Sequence, residues 1–223
     1  MTITEEIKDV YFSRPEVSNS DLSELAKYWM PQELVYDIEK AYRFGTLIDM
    51  MITEPDKLNY FKFTCSGIQY SKEEFKLAEE MKTSFWNDPF CAMLASNSEM
   101  QKVTVNSNFN IEHEGVRFSL AARCKWDLNA MTKLRMTGDI KSTTATTEKQ
   151  FLAACHHFQY FRQRAWYMDL PEEPVQKDML IGISKVNKKV FKIPIVRGGD
   201  LYEIGRQQYQ ELSFKWWYLF GTV

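Results

Sequence analysis

GVRFSLAARCKWDLNAMTKLRMTGDIKSTTATT, residues Gly115 to Thr147, is the stretch on which the reading of this chain turns. Up to Leu128, apolar side chains recur at alternate positions: Val116, Phe118, Leu120, Ala122, Cys124, Trp126 and Leu128. Between them stand Arg117, Ser119, Ala121, Arg123, Lys125 and Asp127. A period of two predicts a strand with one buried face. The pattern resumes toward Lys141, with Leu134, Met136 and Ile140 on one face and Arg135, Thr137, Asp139 and Lys141 on the other. A polar link from about Asn129 to Lys133 joins the runs. The prediction is a β-hairpin with its tip near Lys133.

That register sets Asp127 abreast of Asp139, because opposed residues on antiparallel strands project to one face. Lys141, two residues on, shares it, and so do Arg123 and Lys125. Two readings compete. Asp-x-Lys on an exposed strand is a surface ion pair worth little. Two facing carboxylates, however, repel each other unless a cation lies between them. A hard divalent ion such as Mg²⁺ takes carboxylate oxygens and keeps several waters. It polarises a phosphodiester and acidifies bound water, and a neighbouring lysine can orient that water and offset charge developing on the phosphorus oxygens.

Outward from the hairpin the period becomes helical. Ser18 or Ser20 is expected to cap a helix carrying Leu22, Leu25 and Trp29, ended by Pro31. A second helix is expected from Gln32 to about Met51, and a third from Ser71 to about Met100, interrupted at Asn87-Asp88-Pro89. His113, between Glu112 and Glu114, falls in a strand-to-strand turn. Thr146 or Thr147 should cap a helix reaching about Asp169, with Gln163 and Tyr167 on one face and His156 and Tyr160 extending it. The adjacent His156 and His157 diverge on a helix and form no joint metal site. Two strands follow, joined at Val186-Asn187-Lys188, then a final amphipathic helix in which Lys215 to Trp217 pack on the core. Helices, meander, helix, two strands and helix predict one α/β domain over residues 1–223, a central mixed β-sheet flanked by helices.

Bulk properties narrow the class. The 223 residues suffice for one sizeable core, and 15 Phe, 11 Tyr and 6 Trp can fill it firmly. There is no apolar run long enough for a bilayer, and MTITEEIKDV lacks a signal-peptide layout, so no membrane partner and a cytoplasmic location are expected. Cys65, Cys91, Cys124 and Cys155 form no CxxC pair, which excludes a zinc ribbon or iron–sulfur cluster and predicts free, partly buried thiols. A net charge of −2 means that any nucleic acid must be met by a local basic patch.

Together, Asp127, Asp139-Ile140-Lys141 and Gln163-Arg164-Ala165-Trp166-Tyr167 resemble the D…(D/E)xK…QxxxY series of the PD-(D/E)xK nucleases. The likeness is nearest to the exonuclease VIII (RecE-like) branch, related to lambda-type exonucleases and RecB-type nuclease domains. Ser142-Thr143-Thr144 after the lysine, SNSDLSEL from Ser18, and FGTLIDMMITEPD from Phe44 to Asp56 are similar to segments of that branch. The likeness runs from about Ser18 to Leu170. One position departs: Asp49 stands where the branch usually has His or Glu.

The resemblance implies a restriction-endonuclease-like core and an exonuclease that degrades one strand of duplex DNA with Mg²⁺ or Mn²⁺, in recombination or phage-type end processing. In that picture Asp127 and Asp139 hold metal, helped by the Ile140 carbonyl, and Asp49 is a third ligand. Lys141 positions the attacking water. Gln163 and Tyr167 steady the site or contact the DNA backbone. Arg123, Lys125, Arg162 and Arg164 supply charge for phosphates. Members of the branch often form homo-oligomeric rings that thread duplex ends and work with a single-strand annealing protein. The alternative is a catalytically weakened or inactive nuclease-fold module that binds DNA or protein, to which the shorter arm of Asp49 points.

Overall fold

Ser18 opens the ordered architecture of the chain, whose computed structural model describes residue 11, residues 13–29 and residues 38–221. Its N–H and Oγ both donate to Asp21 Oδ2 at 2.8 Å, so Ser18, of the two serines considered, starts α1 (Asn19–Trp29) with an aspartate closing the capping box. α2 spans Ile38–Thr53. The predicted start of that helix at Gln32, the stop at Pro31 and the N-terminal MTITEEIKDV lie outside the described residues. A 3-10 turn, Pro55–Lys57, leads into a small antiparallel sheet of β1 (Leu58–Asn59), β2 (Thr64–Cys65) and β3 (Ile68–Gln69). Two-residue strands carry no periodicity, and the sequence reading has no place for them.

α3 (Lys72–Asn87) begins with a Ser71–Glu74 capping box. Asp88 ends it and caps α4 (Pro89–Ser96) by accepting the Cys91 N–H at 3.0 Å, which is why Asn87-Asp88-Pro89 interrupts the helical period. The chain is already extended by Glu99, where β4 (Glu99–His113) starts. His113 is the last residue of that strand, and Glu114 and Gly115 make the turn with positive φ. β5 (Val116–Asn129), α5 (Met131–Leu134), β6 (Thr137–Thr143), α6 (Glu148–His157) and α7 (Tyr160–Asp169) follow. β7 (Lys177–Ser184), β8 (Val190–Val196) and α8 (Asp200–Phe220) complete the fold.

The main sheet has the order β4-β5-β6-β7-β8. β6 and β7 are parallel, joined by the α6–α7 crossover, and every other neighbour is antiparallel. This is the mixed sheet flanked by helices that the sequence predicts. One face packs Phe118, Leu120, Ala122, Cys124 and Trp126 against α7 and α8. The other packs Leu128, Ile140, Ile181 and Ile183 against α2, α3 and α4. All four cysteines are buried and free. Among the described residues no helix is long and apolar enough to cross a membrane.

Three local expectations change. The hairpin tip is a short helix, α5, so Leu134 is not on a strand; Arg135 closes the helix in a left-handed conformation. β6 lies inside the sheet with both faces covered, so Thr137 and Asp139 are as buried as Gly138 and Ile140. The helix expected over Thr147–Asp169 breaks at Phe158-Gln159, with Gln159 at φ 54° and its Oε1 accepting from Arg162. Thr147, of the two threonines considered, caps the first half. The second half, α7, crosses α8 so closely that a Cβ on Gly205 would lie 2.0 Å from the Phe161 carbonyl oxygen.

Candidate active site

β5 and β6 pair only at Leu128–Gly138 and Asn129–Thr137. Continued by one step, that register would oppose Asp127 to Asp139, as the hairpin argument requires, but the ladder ends there. Asp127 Oδ2 takes over as acceptor for the Ile140 N–H at 2.8 Å. In an extended strand a residue's N–H and C=O point to the same side, so the Ile140 carbonyl faces the same gap. β5 also turns over at Asp127: Trp126 packs into one core and Leu128 into the other, although their parity is the same. The result is a slot between two strands, with a carboxylate from each at its mouth.

Asp139 is 1% exposed. Its Oδ1 accepts from Arg164 Nη1 at 2.8 Å. Its Oδ2 is ion-paired with Lys141 Nζ at 2.6 Å. Lys141 Nζ stands 5.1 Å from the centre of the Tyr160 ring. Arg164 is itself fixed by Asp178, with Nε to Oδ2 at 2.6 Å and Nη2 to Oδ1 at 3.0 Å, and Thr137 Oγ1 donates to Asp178 Oδ1 at 2.5 Å. Thr137, Asp178 and Arg164 therefore form a buried frame that aims one guanidinium N–H at Asp139.

Asp49 reaches the slot from α2, which runs beside β6 with Gly45 close to the Ser142 hydroxyl. Both its oxygens accept from Gln101 Nε2, at 3.2 and 3.0 Å. Electrostatics tie the acids together. Burial pushes the Asp49 carboxyl up to about 6, helped by Asp139 and opposed by Lys141 and Gln101. Burial also raises Asp127 well above the usual carboxylate range, with Asp49 and Asp139 adding to it. Burial disfavours the Lys141 ammonium, but Asp139 and Asp127 outweigh it and hold the lysine charged. A lysine so held orients and stabilises; it is no general base near neutral pH.

The fit to a divalent cation can be judged from these groups. Among the described residues, no three Asp, Glu, His or Cys side chains already converge at ligand spacing. Asp49 is in electrostatic reach of the slot without completing a three-acid cage. Two aspartates on either side of the gap and a carbonyl facing it match an ion that binds through one or two carboxylates and keeps waters. That donor set is of the kind Mg²⁺ or Mn²⁺ takes; among the described residues there is no full cage of protein ligands.

The remaining predicted residues divide. Gln163 and Tyr167 do share a face of α7, with Gln163 near the Tyr167 hydroxyl, while Tyr167 sits edge-on to Trp126 and under Arg164. Lys125 is half-buried on β5 and close enough to Asp49 to favour its ionised form. The arginines expected to meet phosphates are buried instead. Arg123 donates to the Arg14 carbonyl and pairs with Asp21; Arg162 ties Asn19, Ser23 and Gln159 together; Arg164 serves Asp139 and Asp178. Each fastens the fold from within, because the strand and helix faces they occupy are covered by α1 and by the sheet. Asp178, Thr137 and Gln101 escaped the sequence reading. Only Asp178 carries a signal, an acid at the head of the apolar run 179–183; Thr137 and Gln101 stand among other polar residues.

No protein-family profile matches the chain, and no curated protein matches it in sequence. Among solved structures, a "Putative exonuclease" from Eubacterium rectale overlays with a TM-score of 0.65 at 17% identity, covering 100% of this chain and 88% of its own. A second, SSO0001, overlays with a TM-score of only 0.35 at 14% identity, over 75% of this chain and 74% of its own, too slight a likeness to support an inference. At this identity the first match establishes that the two chains share a fold, with the slot between β5 and β6 built on it.

Proposed function

We propose that this protein is a metal-dependent nuclease, and more specifically a deoxyribonuclease acting on duplex DNA ends. One observation carries the reading: the carboxylates of Asp127 and Asp139 flank the break between β5 and β6, with a charged Lys141 ion-paired to Asp139 at 2.6 Å. Facing carboxylates in a buried setting repel each other unless a further cation lies between them. The shared fold with a "Putative exonuclease" supports the same reading.

In this reading Asp127, Asp139 and the Ile140 carbonyl hold Mg²⁺ or Mn²⁺, with Asp49 behind them. The ion supplies Lewis-acid polarisation of the phosphodiester. Lys141 orients the nucleophilic water and stabilises the charge growing on the phosphoryl oxygens. Arg164 keeps Asp139 aimed, and the Gln163–Tyr167 pair steadies the wall of the slot. Lys125 is the predicted cation best placed for a phosphate. A ring-shaped oligomer and an annealing-protein partner follow from the resemblance alone.

The test is incubation of linear duplex, labelled at either end, with Mg²⁺, Mn²⁺ or EDTA. Divalent-dependent release of end label is expected. Asp139→Ala and Lys141→Ala should each lower the rate by at least about a hundredfold while leaving duplex binding intact. A wild-type protein that binds DNA but cleaves nothing with either ion overturns the reading and favours the inactive, DNA-binding alternative.

A further inference from the structure

Gln101 combines two observations that packing does not explain. Its φ is 54°, a left-handed backbone in the body of β4, between Met100–Leu128 and Lys102–Trp126, both in regular register. For a residue with a Cβ that conformation costs about 1–3 kcal/mol and persists where the surroundings enforce it. Its side chain is committed as well. Nε2 donates to Asp49 Oδ2 at 3.0 Å, to Oδ1 at 3.2 Å and to Thr53 Oγ1 at 2.9 Å. Thr53 in turn donates to the Asp49 carbonyl at 2.9 Å, so α2 and β4 are stapled at one carboxylate.

The register adds the reason. The pairs Met100–Leu128 and Lys102–Trp126 bracket Gln101 and Asp127, which are themselves unpaired, at the level where β5 parts from β6. The left-handed step falls in the edge strand at this level, and the Gln101 amide reaches α2 from it. We propose that Gln101 is a positioning residue that acts through Asp49. It turns the Asp49 carboxylate toward the slot and thereby sets the affinity of the acid cluster for a divalent cation. This inference rests on the metal-dependent reading above. It assigns to Gln101 the part that a partner behind a metal ligand plays, whose loss typically weakens metal binding about 10–100-fold.

The probe is Mn²⁺ alone, followed by electron paramagnetic resonance of the free ion and by calorimetry, with melting of the metal-free protein as the control for folding. Gln101→Gly keeps the left-handed backbone without strain and removes the amide. It should still fold cooperatively, the relieved strain offsetting part of the lost staple, yet bind Mn²⁺ about tenfold or more weakly. Gln101→Glu keeps the arm and replaces the donor with a like charge, so it too should fold and weaken binding. In an Asp49→Asn background, Gln101→Gly should add no further loss, because the partner through which it acts is gone. If wild type binds Mn²⁺ and both Gln101 variants bind it equally well, or if the losses add in the Asp49→Asn background, the inference fails and the nuclease reading stands. If wild type binds no Mn²⁺, both fall together.

Discussion

Arg164 is completely buried with two carboxylates, and among the described residues no other cation pairs with Asp178. Arg164→Met would keep the volume and strand both acids. Breaking a buried pair from one side costs about 3–5 kcal/mol, so urea denaturation should show a loss of that order. Adding Asp178→Asn should restore part of it, because the stranded charge is then removed. Asp49 makes a prediction of opposite kind. Its folded carboxyl titrates near 6, against an ordinary 3.8, because burial disfavours the anion. Between those values the folded state holds a proton that the unfolded chain has released, so this group makes stability fall as pH rises through the window, with the fall complete above it. In EDTA, Asp49→Asn should therefore be the more stable protein at pH 7, by about 2 kcal/mol after discounting for its partial exposure. Thermal melts should converge as the pH is lowered toward 4.

At the scale of elements, the α7–α8 crossing is the least forgiving joint. Gly205→Ala improves helix propensity by about 1 kcal/mol, but its Cβ would meet the Phe161 carbonyl oxygen at 2.0 Å. Backbone cannot yield there as a side chain would. Overpacking of this kind costs about 1–3 kcal/mol or more, and α8 also carries Tyr202 and Tyr209, which donate to Asp169 on α7. The clash outweighs the propensity, and calorimetry should show a net loss of about 2 kcal/mol. The break between α6 and α7 matters to the slot for a related reason. It resets the helical phase after Gln159, so that Tyr160 meets Lys141 while Arg164, one turn on, meets Asp139.

For the whole molecule, the acid cluster couples folding to ion binding. Asp139 adds to the cost of ionising Asp49, and Asp49 and Asp139 add to that of Asp127, and a divalent cation that binds only the folded form should reverse part of it. At a hundred times its dissociation constant a ligand adds about 2.7 kcal/mol, which for a chain of this size raises the melting temperature by roughly 5–10 °C. Differential scanning fluorimetry with Mn²⁺ against EDTA should show that rise in wild type and lose most of it in Asp139→Asn.

Periodicity along the chain was enough to place some of the elements around the slot, though not the break between α6 and α7 or the helical hairpin tip. Alternation from Phe118 marks β5, Asp88-Pro89 separates two helices, Thr146 or Thr147 opens α6, and the offsets of Asp127, Asp139 and Lys141 set an acid pair and a lysine near one level. These are local properties, set by side-chain parity and by capping hydrogen bonds within a few residues. The tertiary structure alone decided what lies on either side of that level. Nothing near Arg164 in sequence announces Asp178, Thr137 or Asp139 as its partners, and burying it depends on β7 running parallel beside β6. Gln101 and Asp49 are brought together by the arrival of α2 at the edge strand, 52 residues away in sequence. The physical reason is the same in each case: a buried charge takes its meaning from the groups that neutralise it, and those are chosen by topology.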